Sequence, residues 1–164
     1  MVLVGHSGGG AIAHAAVDAR PDRIEQVVYV DCGPLGHGSA ISDEFPAVGD
    51  EIPLPDWSVF GDEELVDLDD DLGARFRASA IPHPTGVATE PQTLSDDRRY
   101  DIPATSCLRI LFQPAAGVDR RRPSLTAELA RIRSVTYVDL PTGHWPQFTK
   151  PQELAVAILA AIEG

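Results

Sequence analysis

The chain has 164 residues, 43% of them hydrophobic and 23% charged, the balance of an ordinary soluble protein and one domain's worth of chain. Its formal net charge of −12 repels nucleic acid and anionic membrane surfaces, so neither is an expected partner. No window approaches the roughly 18 consecutive apolar residues of a membrane span, and no charged-then-apolar leader can be read. Two cysteines, Cys32 and Cys107, make neither a disulfide framework nor a zinc site; they read as free thiols of a reducing cytoplasm.

The first ten residues carry the strongest local signal. Met1-Val-Leu-Val4 is an apolar run of strand type, and it meets Gly5-His6-Ser7-Gly8-Gly9 before a helix-patterned segment. Strand, sharp turn and helix form the context in which Gly-x-Ser-x-Gly places a serine hydroxyl at the carboxyl edge of a sheet. The glycines are needed because strand and helix pass very close. The same turn points the Gly8 N–H, at a helix N-terminus, toward any oxyanion formed beside Ser7. A phosphate-cradling loop is disfavoured: no Lys-Ser/Thr follows the glycines, and Gly-x-Gly-x-x-Gly cannot be read.

Ile12, Ala15, Ala16 and Ala19 recur at helical spacing, and Pro21-Asp22 closes that helix. Ile24–Val30 is the second strand; its unbroken apolar end suits burial on both faces of a parallel sheet. It runs into Asp31-Cys32-Gly33-Pro34, a strand end of the kind where catalytic groups collect. Residues 35–100 are dense in glycine, proline and acid, with Leu65, Leu68, Leu72 and Phe76 on one helical face and Asp69-Asp70-Asp71 beside it. The three acids point different ways and read as a solvated face rather than a metal site. So long an insertion between strands is expected to be a cap over the sheet edge.

Ala104–Phe112 is the third strand, Gln113–Arg122 a loop, and Ser124–Arg133 a helix with Leu125, Leu129 and Ile132 on one face. Val135–Leu140 is the fourth strand, ending in Pro141-Thr142-Gly143-His144. The last helix carries Leu154, Ile158 and Ile162, with Pro151 in its first turn. Strands alternating with helices mean an α/β fold, a parallel sheet with helical crossovers, within a single domain spanning 1–164.

A serine hydroxyl is a poor nucleophile until a base takes its proton. Of the five histidines, His6 points elsewhere on the turn, His14 is mid-helix, and His37 and His83 lie in the cap. His144 follows the last strand at the edge that carries Ser7, and is the candidate base. A carboxylate must orient its imidazole. Asp31 and Asp119 both follow strands at that edge; Asp139, inside or at the end of its strand, suits the role less.

Val-Gly-His-Ser-Gly-Gly with a helix after it, and Pro-Thr-Gly-His-Trp-Pro-Gln-Phe-Thr-Lys-Pro-Gln-Glu-Leu near the end, resemble the α/β-hydrolase superfamily, its small bacterial esterase-like members above all. The resemblance implies Ser7 as nucleophile, Gly8 as oxyanion donor and His144 as base, in the order Ser, Asp, His. The usual family acid follows the strand at 104–112, where this chain offers only Asp119 beside Arg120-Arg121-Arg122. Some relatives, such as certain haloalkane dehalogenases, carry the acid after the strand that follows the elbow helix. Asp31 matches that position and is preferred. The family also builds four strands before the elbow, so the resemblance implies the C-terminal half of the fold, a truncated chain. Its first strand would be an apolar edge open to self-association.

The expected activity is hydrolysis of a small ester or related acyl substrate through an acyl-enzyme on Ser7, with no metal or cofactor. Trp57 and Trp145 are candidate apolar walls for that small molecule. Two alternatives stand beside it: a lyase of the hydroxynitrile type using the same triad, and an inactive remnant that pairs through its open edge. Fold alone does not choose between them.

Overall fold

The structure is a computed structural model and describes residues 1–108 and 127–163. Four parallel strands make the central sheet: β1 (Val2–His6), β2 (Gln26–Val30), β5 (Ala104–Leu108) and β6 (Val135–Asp139). They lie side by side in the order β1-β2-β5-β6. A separate two-residue pair, β3 (Glu51–Ile52) and β4 (His83–Pro84), is antiparallel.

Alternation along β2 explains the layers. Val27 and Tyr29 face one core, with Ala13, Val17, Leu129 and Ile132. Val28 and Val30 face the other, with Cys107 and Ala157, and Leu154 and Ile158 pack against it. All four β2 residues are at most 2% exposed, the condition that an uninterrupted apolar run signals. Helix α1 (Gly9–Ala19) covers the first face, and α5 (Pro151–Glu163), which follows the short α4 (Pro146–Thr149), covers the second.

The inward face of α1 differs from the one its spacing suggests. Gly10, Ala13, His14, Val17 and Asp18 are buried, whereas Ile12 is 51% exposed. An alanine-rich helix has little apolar contrast around its axis, so the contacts of Gly10 and the partners of His14 and Asp18 set the rotation. On α5, Leu154 and Ile158 do pack inward, but Ile162 is 50% exposed and Ala157 and Ala161 complete the stripe.

Between β2 and β5 the chain makes a long excursion over residues 31–103. It carries β3, β4, α2 (Asp70–Ser79) and α3 (Thr85–Thr89). Leu65 and Leu68 lie in turns before α2 rather than on it, because Asp69 caps the helix by accepting from Leu72 N at 2.8 Å. Asp70 and Asp71 then occupy the first turn, where acids complement the helix dipole. The excursion is fastened to α1 at its far end. The Asp18 carboxylate accepts from Ser95 N and Asp96 N at 2.9 and 2.8 Å and pairs with Arg99 at 3.2 Å.

Of the segment 113–133, residues 127–129 are helical and Leu129 and Ile132 are buried. The expected helix does not run on to Arg133: residues 130–133 form a turn and bend, where Arg131 N donates to Glu128 O and Ile132 N to Leu129 O. Residues 113–126, the stretch 109–112 of the third strand, and with them Asp119, lie outside the described residues. Among the described residues no helix is long and apolar enough to cross a membrane.

Candidate active site

Register builds the site. His6, last in β1, pairs with Val30, last in β2, and Val30 pairs with Cys107 in β5. Ser7 and Asp31 are therefore each the first residue beyond their strand, side by side at the carboxyl edge. Ser7 N donates to Val30 O at 3.3 Å and Asp31 N to Cys107 O at 2.8 Å. Both residues have left-handed backbones, with φ of 51° at Ser7 and 45° at Asp31. Neither is glycine, so each conformation costs about 1–3 kcal/mol, and it turns each side chain out of the strand direction.

Glycine makes the first of these turns fit. A Cβ on Gly5 would stand 2.7 Å from Gly9 O and 2.9 Å from Gly10 Cα. A Cβ on Gly10 would stand 2.6 Å from Cys32 Sγ and 2.9 Å from Gly33 O. Gly9, the last glycine of Gly-x-Ser-x-Gly, has no such neighbour within 4 Å. The close approach thus falls on Gly5 and Gly10. Gly8 occupies the N-cap position of α1, and a Cβ there would meet Ile41 Cγ2 at 2.9 Å.

His144 arrives from the opposite side of the sheet. It sits five residues beyond β6, and β6 is three strand spacings from β1, on the order of 14 Å. The connection carries the imidazole back to the strand ends of β1 and β2. There His144 Nε2 lies 2.9 Å from Ser7 Oγ, and His144 Nδ1 lies 2.5 Å from Asp31 Oδ2. The His144 side chain is 12% exposed and that of Asp31 5%. With the carboxylate able only to accept, Nδ1 carries the hydrogen and Nε2 is left to accept from the serine hydroxyl.

Ser7, His144 and Asp31 thus meet in one chain of hydrogen bonds. His37 and His83 lie elsewhere on the excursion, where His37 Nδ1 accepts from Leu94 N and the exposed His83 ring contacts Pro84 O. His14 is fully buried between Tyr29 OH at 3.0 Å and Glu128 Oε1 at 3.2 Å; burial holds its pKa below the usual value. Burial likewise pushes the Cys32 thiol up to about 12 and the Cys107 thiol up to about 11. Neither is a thiolate near neutrality, so neither rivals Ser7.

The sequence reading missed three groups at this site. His6 does not point away: its Nε2 lies 2.6 Å from the main-chain carbonyl of His144. The rings of His6 and His144 stand 4.8 Å apart. Burial first, and the neighbouring His144 second, push the His6 pKa down to about 4, so the ring is neutral at pH 7 with its hydrogen on Nε2, since a carbonyl only accepts. The others are main-chain carbonyls of the excursion. Glu64 O accepts from His144 N at 2.7 Å, and Val66 O accepts from Gly143 N at 3.2 Å. The position of His6 beside Ser7 was a usable signal; carbonyls carry none.

Trp145 extends the same loop into an aromatic cluster. It is 6% exposed and meets Trp57, Phe60 and Phe76 edge-on at centroid distances of 5.5, 5.1 and 5.5 Å. Such pairs are worth about 0.5–1.5 kcal/mol each beyond area burial. The cluster joins the excursion to the His144 loop.

The family model described as "Alpha/beta hydrolase family" matches residues 2–157. Among solved structures, an extracellular alpha/beta-hydrolase from a Paenibacillus species is similar at a TM-score of 0.74 and 21% identity, covering 98% of this chain and 71% of that one. That protein is described as sharing structural and functional homology with tobacco Salicylic Acid Binding Protein 2. A variant of tomato Methylketone Synthase I complexed with beta-ketoheptanoate aligns at a TM-score of 0.67 and 14% identity, covering 99% of this chain and 70% of that one. A methylesterase from Arabidopsis aligns at 0.63 and 19%, covering 99% and 69%. No curated protein matches the chain. The chain belongs to the alpha/beta hydrolase family.

Proposed function

We propose that this alpha/beta hydrolase is a serine esterase that cleaves a small carboxylic ester through an acyl-enzyme on Ser7. One observation carries the reading. A serine held at φ 51° beyond β1 lies 2.9 Å from an imidazole whose other nitrogen lies 2.5 Å from a buried carboxylate. That arrangement removes the serine's proton as it attacks, and stabilises the imidazolium that results.

In the proposed reaction, Ser7 Oγ bonds to the acyl carbon while its proton passes to His144 Nε2. Asp31 holds the Nδ1 hydrogen throughout. The negative charge moves to the carbonyl oxygen, near the Gly8 N–H and the positive end of α1. Collapse breaks the ester C–O bond, and the departing alkoxide takes the proton from Nε2 and leaves as an alcohol. Water then enters, gives a proton to Nε2 and bonds to the acyl carbon. Ser7 regains that proton as the acid departs. Ile41 over Gly8 offers an apolar contact for the acyl or alkyl part, while the buried Trp145 serves as packing and only the partly exposed Trp57 could reach a substrate. Fold neighbours that include a methylesterase are in keeping with an ester substrate.

The test is covalent. A fluorophosphonate probe, followed by peptide mass spectrometry, is expected to place the adduct on Ser7 and to lose it in His144→Ala. A folded chain that takes no adduct would remove the reading.

A further inference from the structure

We propose that His6 is a positioning residue: by donating its Nε2 hydrogen to the main-chain carbonyl of His144, it ties the loop carrying the base to the turn carrying the nucleophile. The inference rests on the reading of Ser7 and His144 given above.

The need for such a tie comes from topology. The base is delivered from β6, at the far side of the sheet from β1, on a connection with no regular structure between Leu140 and Trp145. Catalytic geometry tolerates about 0.5 Å of error, so a base on a loop must be held by neighbours that are themselves fixed. The peptide units around His144 are gripped on both sides. Glu64 O takes the His144 N–H and Val66 O takes the Gly143 N–H, both from the excursion. His6 takes the His144 carbonyl at 2.6 Å.

The three contacts are not equivalent. Glu64 and Val66 fix the loop to the excursion, which belongs to a different part of the chain from the nucleophile. His6 is covalently next to Ser7, so its bond fixes the distance between the two reacting side chains directly. Among the described residues, the other direct hydrogen bond between the elbow and His144 is the Ser7–His144 contact, which the reaction itself breaks and remakes; Asp31 holds the ring from the neighbouring strand end. A neutral ring is also the form the site needs there. A second positive charge 4.8 Å from the His144 ring would oppose the imidazolium that the reaction creates.

Packing alone would explain a buried ring at this position, so the test separates packing from donation. His6→Leu keeps apolar bulk and removes the donor; His6→Gln returns an N–H at comparable reach. With the full 164-residue chain, the second-order rate of fluorophosphonate labelling at Ser7 is expected to fall 10- to 100-fold in His6→Leu, the scale of a displacement near 1 Å. In His6→Gln it is expected to return to within about fivefold of the parent. With p-nitrophenyl acetate the loss should fall on kcat, with KM changed less than threefold. Equal losses in the two variants, or His6→Leu labelling at the parental rate, would overturn the proposal. A second readout does not need reactivity: the His144 Nδ1–H proton resonance should broaden or vanish in His6→Leu and persist in His6→Gln. If the parent takes no adduct, the esterase reading fails while this resonance still decides the role of His6; a resonance unchanged in His6→Leu would reject it.

Discussion

Gly9→Ala and Gly10→Ala differ by one position and should move stability in opposite directions. Gly9 begins α1, does not have a positive φ, and a Cβ there meets nothing within 4 Å. Alanine therefore only removes freedom from the unfolded chain, a gain of about 0.4–1 kcal/mol. At Gly10 the new Cβ would stand 2.6 Å from Cys32 Sγ and 2.9 Å from Gly33 O. Cys32 is fixed, since its thiol donates to Gly5 O at 3.2 Å, so α1 must lift from the end of β2. Overpacking of that kind costs about 1–3 kcal/mol, which outweighs a helix-propensity gain of up to about 1 kcal/mol. The movement also carries Ser7, three residues away, off His144. Urea unfolding of both variants, with fluorophosphonate labelling in parallel, reads the two effects. Gly9→Ala should match or exceed the parent in both, and Gly10→Ala should fall in both. A loss above about 1 kcal/mol at Gly9, or parental stability at Gly10, would refute the assignment of the close contact.

Three further outcomes follow from the site. Asp31→Asn should slow Ser7 labelling by about 10⁴ while leaving the fold intact, because the imidazole loses its orienting acceptor; a larger loss in Asp119→Asn would show that the carboxylate has been misassigned. Gly143→Ala should detach the base from the excursion, since its Cβ would strike the Glu64 carbonyl and stand 2.6 Å from Val66 O; labelling should fall at least tenfold, and an unaffected rate would mean that the loop does not need those two carbonyls. The third concerns pH. The His6 pKa falls from 6.5 to about 4 on folding, so between those values the unfolded chain binds the extra proton. His6 therefore opposes folding progressively as pH drops below about 6.5, levelling below about 4, by up to about 3 kcal/mol. His6→Gln removes that component, so the stability gap between parent and variant should shift in the variant's favour from pH 7 to pH 4.5, and parallel profiles would count against the burial of His6. The lowered His14 pKa acts in the same direction in both proteins and cancels in the difference.

How far the sequence disclosed this site depends on what kind of group each partner is. The turn around Ser7 was legible because its cause is local: a short apolar run, glycines and a helix occur within about a dozen residues. His144 was legible because parallel strands put their carboxyl ends on one edge and it follows a strand; the same rule left Asp31 and Asp119 open, and only the family resemblance favoured Asp31. The faces of α1 were not. His14 and Asp18 are buried polar residues, and what satisfies them comes from Tyr29, Glu128, Ser95, Asp96 and Arg99. Most of those lie 77 to 114 positions away, beyond any helical period. The apolar spacing of Ile12, Ala15, Ala16 and Ala19 misled because alanine marks no face strongly.

The same holds more strongly for the contacts of His144. His144 N donates to Glu64 O, its neighbour Gly143 N donates to Val66 O, and the His144 carbonyl accepts from His6. Main-chain groups are present at every residue, so no side-chain pattern announces which of them will be used. Yet these bonds, with Trp145 set among Trp57, Phe60 and Phe76, make the excursion and the His144 loop one mechanical body. A displacement of residues 61–68 cannot leave the base where it is unless the 2.7 Å bond from His144 N to Glu64 O breaks. Were the excursion displaced, the tie through His6 would be a restraint keeping imidazole and hydroxyl together. Substitutions in the aromatic cluster should accordingly alter the rate at Ser7 even where they touch no substrate. Phe76→Ala is the sharpest case, because Phe76 packs on both Trp145 and Phe148, the latter at 4.7 Å. Its expected signature is a fall in labelling rate that deepens when combined with His6→Leu by more than the product of the two single effects. Independent effects would mean that the excursion and the elbow hold the base separately.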